Sequence, residues 1–341
     1  GYTLYNFSPW FIENQNFKVG VVSDVLQSDV TNNGLFEEGV QLLKIKGIES
    51  QIEYVVSGDS SSKQFFEIGD KLIYSYNKTD DPNSIFIVDH YRLPYLYIVF
   101  GVFAVVSIFF SGRGALYSFL SLGFSILVLV KVVISLILVG YNPFLVTMFG
   151  AVLISVVSVY LGHGIRMQTN IAILGILMTL AISTALATIF VKLANLFGLG
   201  SEEAFFLQID SGANLNLQGL FLAGIIIGTL GVLDDITTSQ VAVVNEINRA
   251  NSKIVGKELY RRALRVGKEH IAALINTLVL AYAGASLPLF ILFVTEQIQP
   301  VWVILNSEFI AEEIMRTIVG SIALVLSVPI TTWLAVKKME D

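Results

Sequence analysis

The sequence predicts an all-α membrane bundle of about seven transmembrane helices carrying a small N-terminal extracytoplasmic β-barrel-like domain. Three observations predict it. Hydrophobic residues are 54% of the 341 and charged residues only 14%, against about 25% charged in soluble domains. The apolar residues after position 91 form blocks of about twenty, enough to cross a hydrocarbon core of roughly 30 Å. Lys and Arg then fall on alternate connections between those blocks. The chain has no cysteine, so thiolate metal sites and thiol catalysis are excluded. A net charge of −6 gives no basic surplus for binding nucleic acid.

Residues 1–16 place Tyr2, Tyr5, Phe7, Trp10 and Phe11 among polar neighbours, a composition suited to a membrane interface. Residues 1–90 hold 13 of the 27 acidic residues, and 17–90 read as a water-soluble module. Short β-branched and aromatic runs predict strands near 17–27, 40–47, 50–57, 70–76 and 84–89. Turn chemistry separates them: Asn33-Gly34, Gly58-Asp59, Gly69-Asp70 and Asp81-Pro82. Five short strands with one apolar face point to closure into a small barrel, which removes exposed edges.

From residue 91 to the end the chain reads as a polytopic helical domain. Spans are predicted near 94–111, 115–139, 143–161, 169–194, 217–236, 270–294 and 315–335, with a basic amphipathic segment at 237–269 broken at Gly256. That segment carries Arg249, Lys253, Lys257, Arg261, Arg262, Arg265 and Lys268, whereas 140–142, 195–216 and 295–314 contain no Lys or Arg. The positive-inside rule puts the basic connections and the C-terminus in the cytoplasm and the β domain outside. The sequence begins at Gly1, and an upstream helix would make eight spans and bring both termini inside.

Span 217–236 is the most informative. Gly224, Gly228, Gly231 and then Asp235 recur at helical spacing, within roughly 60° of one face, and Thr238 continues the stripe. Small residues let helix backbones approach one another in a bilayer. The same face predicts that Asp235 meets a neighbouring helix while Asp234 points about 100° away and is dispensable. An intramembrane carboxylate needs a partner or water and is a functional candidate; His163 and Arg166, with Glu269 and His270 at the start of the next span, are the counter-ion candidates. Either Asp235 caps and tethers the helix end or it belongs to a substrate or ion pathway.

Span 270–294 opens on Glu269-His270 and carries Asn276 and Gly284 on one stripe, with Pro288 in its outer half. Asn276 calls for an interhelical hydrogen bond, and Pro288 for a kink or an end to regular helix. Lys131 interrupts the second span; it either snorkels outward or meets one of Glu308, Glu312 and Glu313. Glu312 and Arg316 stand at i, i+4, a favourable ion-pair spacing. Thr179, Ser183, Thr184 and Thr188 form a hydroxyl stripe suited to packing. Phosphate-loop, zinc-protease and nucleophile-elbow signatures are absent, and three histidines leave little for a metal site. The expectation is of no enzyme, no metal and no cofactor.

Three long blocks, GVLDDITTSQ at 231–240, NTLVLAYAGASLPL at 276–289 and NSEFIAEEIMRTIVGSIALVLSVP at 306–329, resemble the YibE/F family of bacterial multi-span proteins. VDHYRLP at 88–94 and His163-Gly164 belong to the same pattern. The resemblance covers about 90–341 and implies a permease of unassigned substrate, with Asp235, Glu312, Glu313 and Arg316 at the family's acidic and basic positions. Asp234 departs from the commoner pattern. The function expected is a secondary permease for an ion or small polar solute. The alternatives are a scaffold or sensor whose outer domain binds a partner or wall component, or one subunit of a hetero-oligomeric permease. The partners expected are the lipid bilayer and possible further copies or related chains.

Overall fold

The computed structural model describes residues 17–32, 37–48, 53–60, 66–76, 85–210, 215–295 and 300–340, in two units, 1–110 and 111–341. The aromatic segment 1–16 lies outside the described residues. In the first unit, β1 (Phe17–Asn32), β2 (Glu37–Gly47), β3 (Glu53–Ser60), β4 (Lys71–Tyr76) and β5 (Ile85–His90) form one sheet. Its order is β3-β2-β1-β4-β5, and every paired neighbour is antiparallel. β1 is long enough to pair with β4 at Phe17–Val21 and with β2 from Gly20 onward. Register shifts at Val22/Asp24 and Val25/Gln27 add twist, and residues of the terminal strands β3 and β5 approach one another. The sheet is therefore barrel-like, and among the described residues no ladder joins β3 to β5.

The alternation read from sequence selects the core: Val22, Leu43, Ile45, Val56, Leu72, Tyr74 and Ile85 are buried. Gly20 makes room for the Tyr74 ring, which a Cβ would meet at 3.1 Å. Gln41 fastens the segment before β4 by accepting from the Phe66 N–H at 2.9 Å, and Phe66 stacks on His90 at 4.1 Å. Beyond β5, Arg92 pairs with Asp89 at 2.5 Å. The Arg92 hydrogen bond and the His90 N–H hold the Asp89 carboxyl below the usual carboxylate range.

Eleven helices follow among the described residues. α1 is Leu93–Ser111, and none of its residues is buried. α2 (Arg113–Val128) runs through a π-helical stretch, Leu129–Ile134, into α3 (Ser135–Leu138). Just beyond that stretch the Ser135 hydroxyl donates to Val130 O at 3.2 Å. α4 is Pro143–His163, entered through an Asn142 cap; α5 is Met167–Leu193, α6 Glu202–Asp210 and α7 Leu217–Ala250. α8 (Gly256–Ala285), α9 (Leu287–Thr295), α10 (Val301–Leu305) and α11 (Glu308–Glu340) complete the chain. Among the described residues six stretches are long and apolar enough to cross a membrane: Leu93–Ser111, Arg113–Leu138, Pro143–His163, Met167–Leu193, Leu217–Ala250 and Glu308–Glu340.

Two predicted spans differ. The fifth does not stop at 236 but continues to Ala250, because no Gly or Pro occurs from 232 to 255. At 34 residues it is about 51 Å long, well beyond a hydrocarbon core of about 30 Å. The predicted 270–294 span is two helices that part at Ser286. Pro288 has no N–H and clashes with a carbonyl four residues back inside a helix; as the second residue of α9 it loses nothing. Gly256, with φ +56°, starts α8, as the sequence predicts.

In the second unit α7 is central, packing on α4, α5, α8 and α11, while α2 packs on α4. Ile226, Leu230, Leu233, Val241 and Val244 of α7 meet Ile176, Leu180, Ala323 and Ala335 in one core. Buried Gln240 locks three helices by donating to Ala263 O at 3.1 Å and to the Thr332 hydroxyl at 2.8 Å. The predicted glycine stripe is not the close-packed one. A Cβ at Gly224, Gly231 or Gly284 would meet nothing within 4 Å, and at Gly228 it would meet only the Tyr282 hydroxyl at 2.9 Å. Close approach falls instead at Gly150 against Val133, Gly175 against Thr331 and Gly267 against Val328 and Gln240.

Gly175→Leu should therefore destabilise the purified protein by about 1–3 kcal/mol through overpacking, while Gly224→Leu stays near the parent. Thermal unfolding in detergent checks this, and equal stability of the two variants contradicts the packing.

Candidate functional site

The polar residues of the second unit gather in three places. The largest group lies between α2, α4 and α7. Ser118, Ser121 and Ser125 recur on α2, Ser155 and Ser158 on α4, and Asp234 and Asp235 on α7, and together with His163 they line a cavity of about 370 Å³. The hydroxyls form a directed chain. The Ser158 Oγ–H donates to Asp234 Oδ2 at 3.1 Å. A hydroxyl has one proton to give, so in the 2.5 Å contact with Ser158 it is Ser121 that donates. A hydroxyl relay thus runs from α2 through α4 to the carboxylate on α7.

Asp234 Oδ1 is buried with no hydrogen-bond partner among the described residues. An unsatisfied carboxylate oxygen away from water costs several kcal/mol in principle, so this atom is where a proton or cation gains most. Asp235 lines the same cavity, is more exposed than Asp234, and its carboxylate has no hydrogen bond among the described residues. His163 lines the cavity together with both carboxylates. The expected separation of the two aspartates is corrected here. α7 is flanked by neighbours on several sides, so residues about 100° apart still open onto one cavity, and Asp234 rather than Asp235 receives the donor. No group of three His, Asp or Glu in metal-holding arrangement occurs among the described residues. The groups on offer are carboxylate and hydroxyl oxygens, which suit hard cations and protons.

A second cavity, of about 300 Å³, adjoins the α4–α5 connection and is lined by Gly162, His163, Arg166, Gln168, Thr169, Ala172, Thr238 and Ala242. The connection is tight. Gly164 at φ +74° ends α4, the Thr169 hydroxyl donates to its carbonyl at 2.7 Å, and the Tyr160 hydroxyl donates to Asn170 Oδ1 at 2.8 Å. Thr238 turns its hydroxyl back to Asp234 O at 2.9 Å. Of the predicted counter-ions, His163 reaches the carboxylate cavity, whereas Arg166 faces the second one and makes no ion pair with Asp235.

The third group sits at the start of α11. Glu308 Oε1 accepts from the N–H groups of Phe197, Gly198 and Leu199 at 2.6, 3.0 and 3.3 Å. Glu312, 4% exposed, accepts from Gly200 N–H at 3.0 Å. Gly198 at φ +86° permits the turn that aims these N–H groups inward. The predicted Glu312–Arg316 pair is replaced by Glu313–Arg316 at 2.8 Å, because Glu312 is turned toward the loop; Arg316 also lies 5.7 Å over the Phe221 ring. These glutamates are engaged, and Lys131, exposed within the π-helical stretch, has no partner among the described residues. Asn276, Glu269 and His270 are exposed on α8 away from both cavities, and the interhelical bond expected of Asn276 is not formed among the described residues. The serine relay and Glu308's role went unread in the sequence, although serines at i, i+3 and i+7 on α2 carried a signal.

Stacked apolar helices enclosing carboxylates, a histidine and hydroxyls define a multi-pass helical membrane protein with a polar internal chamber. The YibE/F-like protein family model matches residues 99–341, and the chain belongs to that family. No curated protein and no solved structure matches it.

Removing the Glu308 clasp should free three backbone donors. Glu308→Ala is expected to cost about 1.5–3 kcal/mol, the range for bonds to a charged group, and to abolish amide exchange protection at 197–199. Unchanged protection there contradicts the clasp.

Proposed function

We propose that the chain is a secondary permease of the bacterial cell membrane, passing a cation or small cationic solute through the chamber between α2, α4 and α7. One observation carries the reading: Asp234, with one carboxylate oxygen buried and unpartnered among the described residues, lines a serine-rich cavity inside a membrane bundle. Buried ionisable groups in spans are expensive and belong to pathways more often than to packing. The chamber offers net negative charge from two aspartates and neutral hydroxyl donors, so a cation is favoured there over an anion. In this reading the basic segment around 249–268 faces the cytoplasm, and the chain acts as a carrier rather than an enzyme.

Asp234 holds the cargo or the coupling proton, Ser158 and Ser121 orient it, and Asp235 supplies field from the more open side. In proteoliposomes screened against a panel of monovalent and divalent cations and protons, Asp234→Asn should abolish the flux seen with the parent. Asp235→Asn should retain a measurable fraction. Absence of any flux from the parent across the panel, or equal loss in both variants, contradicts the assignment.

A second reading, one subunit of a larger permease, is favoured by Asn276. Its amide is exposed and unbonded among the described residues of a helix that is apolar on either side of it, and such an amide finds a partner in another helix. With Asn276→Cys, oxidation in membranes should give a cross-linked dimer if the partner is a second copy, and a monomer if the chain acts alone.

A further inference from the structure

The carboxylate chamber and the second cavity have two wall residues in common, Gly162 and His163. Gly162 has no side chain, and a Cβ there would meet nothing within 4 Å. The His163 imidazole is therefore the one side chain that faces both. It is the last residue of α4, exposed, and without a hydrogen-bond partner among the described residues. Nothing pins its rotamer, while Gly164, Thr169 and Tyr160 pin the backbone beneath it.

We infer that His163 is the gate between a vestibule at the α4–α5 end and the carboxylate chamber, so that a hydrophilic cation reaches Asp234 from that end past its imidazole. The inference rests on the transport reading for what passes; the geometry of the shared wall stands by itself. The charges facing the ring are set unequally. Asp234 and Asp235 face it from α7, Arg166 from the connection to α5, while α2 and the first turn of α5 offer only Ser118, Ser121, Ser125, Gln168 and Thr169. A protonated ring is drawn toward the carboxylates and repelled by Arg166, which fills the chamber mouth with positive charge. A neutral ring loses both forces and leaves the mouth open to a cation. Passage is therefore open past a neutral ring and closed past a protonated one.

The absence of native cysteine makes the test direct. Full-length protein in liposomes carries a single Ser125→Cys in the chamber or Ala242→Cys in the vestibule and is treated with a cationic methanethiosulfonate. Each ratio of the chamber rate to the vestibule rate is referred to the same ratio in His163→Gln, which carries the same two thiols with their own ionisation. The referred ratio should be about tenfold higher, equivalent to about 1.4 kcal/mol of barrier, in mildly alkaline than in acidic buffer. The ratio should be suppressed in His163→Phe in both buffers. A ratio indifferent to both substitutions overturns the gate, and so does a chamber cysteine that is never labelled while the vestibule is. Flux that depends on Asp234 with ungated labelling sinks only the gate; gated labelling with no flux sinks only the transport reading.

Discussion

Hydrocarbon supplies no hydrogen bonds, so each polar atom within a membrane bundle must be satisfied by the chain itself. Most hydroxyls here meet that demand locally. Ser155, Thr188, Thr237, Ser321 and Thr332 each donate to the carbonyl four residues back at 2.6–2.8 Å. Such side chains leave the helix outwardly apolar and free to pack. The few polar groups that bond between helices then define the architecture: Gln240 across α7, α8 and α11, and Ser121–Ser158–Asp234 across α2, α4 and α7. The Gln240 amide nitrogen has both its donations placed, whereas the serine relay satisfies one oxygen of Asp234 and leaves the other without a partner among the described residues. That remainder is what distinguishes a packing device from a site.

The same constraint explains where glycine helps. At Gly150, Gly175 and Gly267 a missing side chain lets a neighbour's Val or Thr occupy the space, the usual use of small residues between membrane helices. Gly231 has the opposite effect: no neighbour fills the space, and it lines the chamber. A glycine run in the sequence cannot tell these apart, because closeness depends on what the adjoining helix presents. The serines on α2 and α4, with Gly231 on α7, keep this part of the bundle open next to the carboxylates.

Much of the fold was legible from local chemistry. Alternation located the five strands within a few residues, apolar length located the membrane helices, and Gly256 marked the start of α8. The element ends that differed had physical causes beyond a hydropathy window. α7 overshot because nothing in 237–250 breaks a helix, and the 270–294 span divided because Pro288 needs the start of a new helix. The site was legible only in part. The aspartates stood out because charge in an apolar block is conspicuous, but their ranking rested on one helix's arc. Which face of α7 meets a cavity is decided by α2 and α4, far away in sequence. Glu312 was likewise assigned to Arg316 by spacing, whereas the loop at 197–200 offered it and Glu308 backbone donors that no periodicity reveals.

The two ends of the second unit are built on unlike principles. At the start of α11 the carboxylates of Glu308 and Glu312 are spent on four backbone N–H groups, and Arg316 is held by Glu313 and Phe221. Charge there is neutralised by fixed dipoles that move only if the 197–200 loop moves. At the α4–α5 end the side chains of His163, Arg166 and Asp235 have no bonded partner among the described residues, above a connection tied down by Thr169 and Tyr160. Asp234 lies 17 residues into α7 by sequence position, about 26 Å along its axis, and so belongs to this second end. On the proposed reading, a cation bound at Asp234 is separated from the basic end by a short path lined with responsive side chains. The clasped end, by contrast, lies across most of the membrane's thickness behind a packed apolar core. Rearrangement that exposes the site is therefore inexpensive on one side and must break the glutamate clasp or the core on the other.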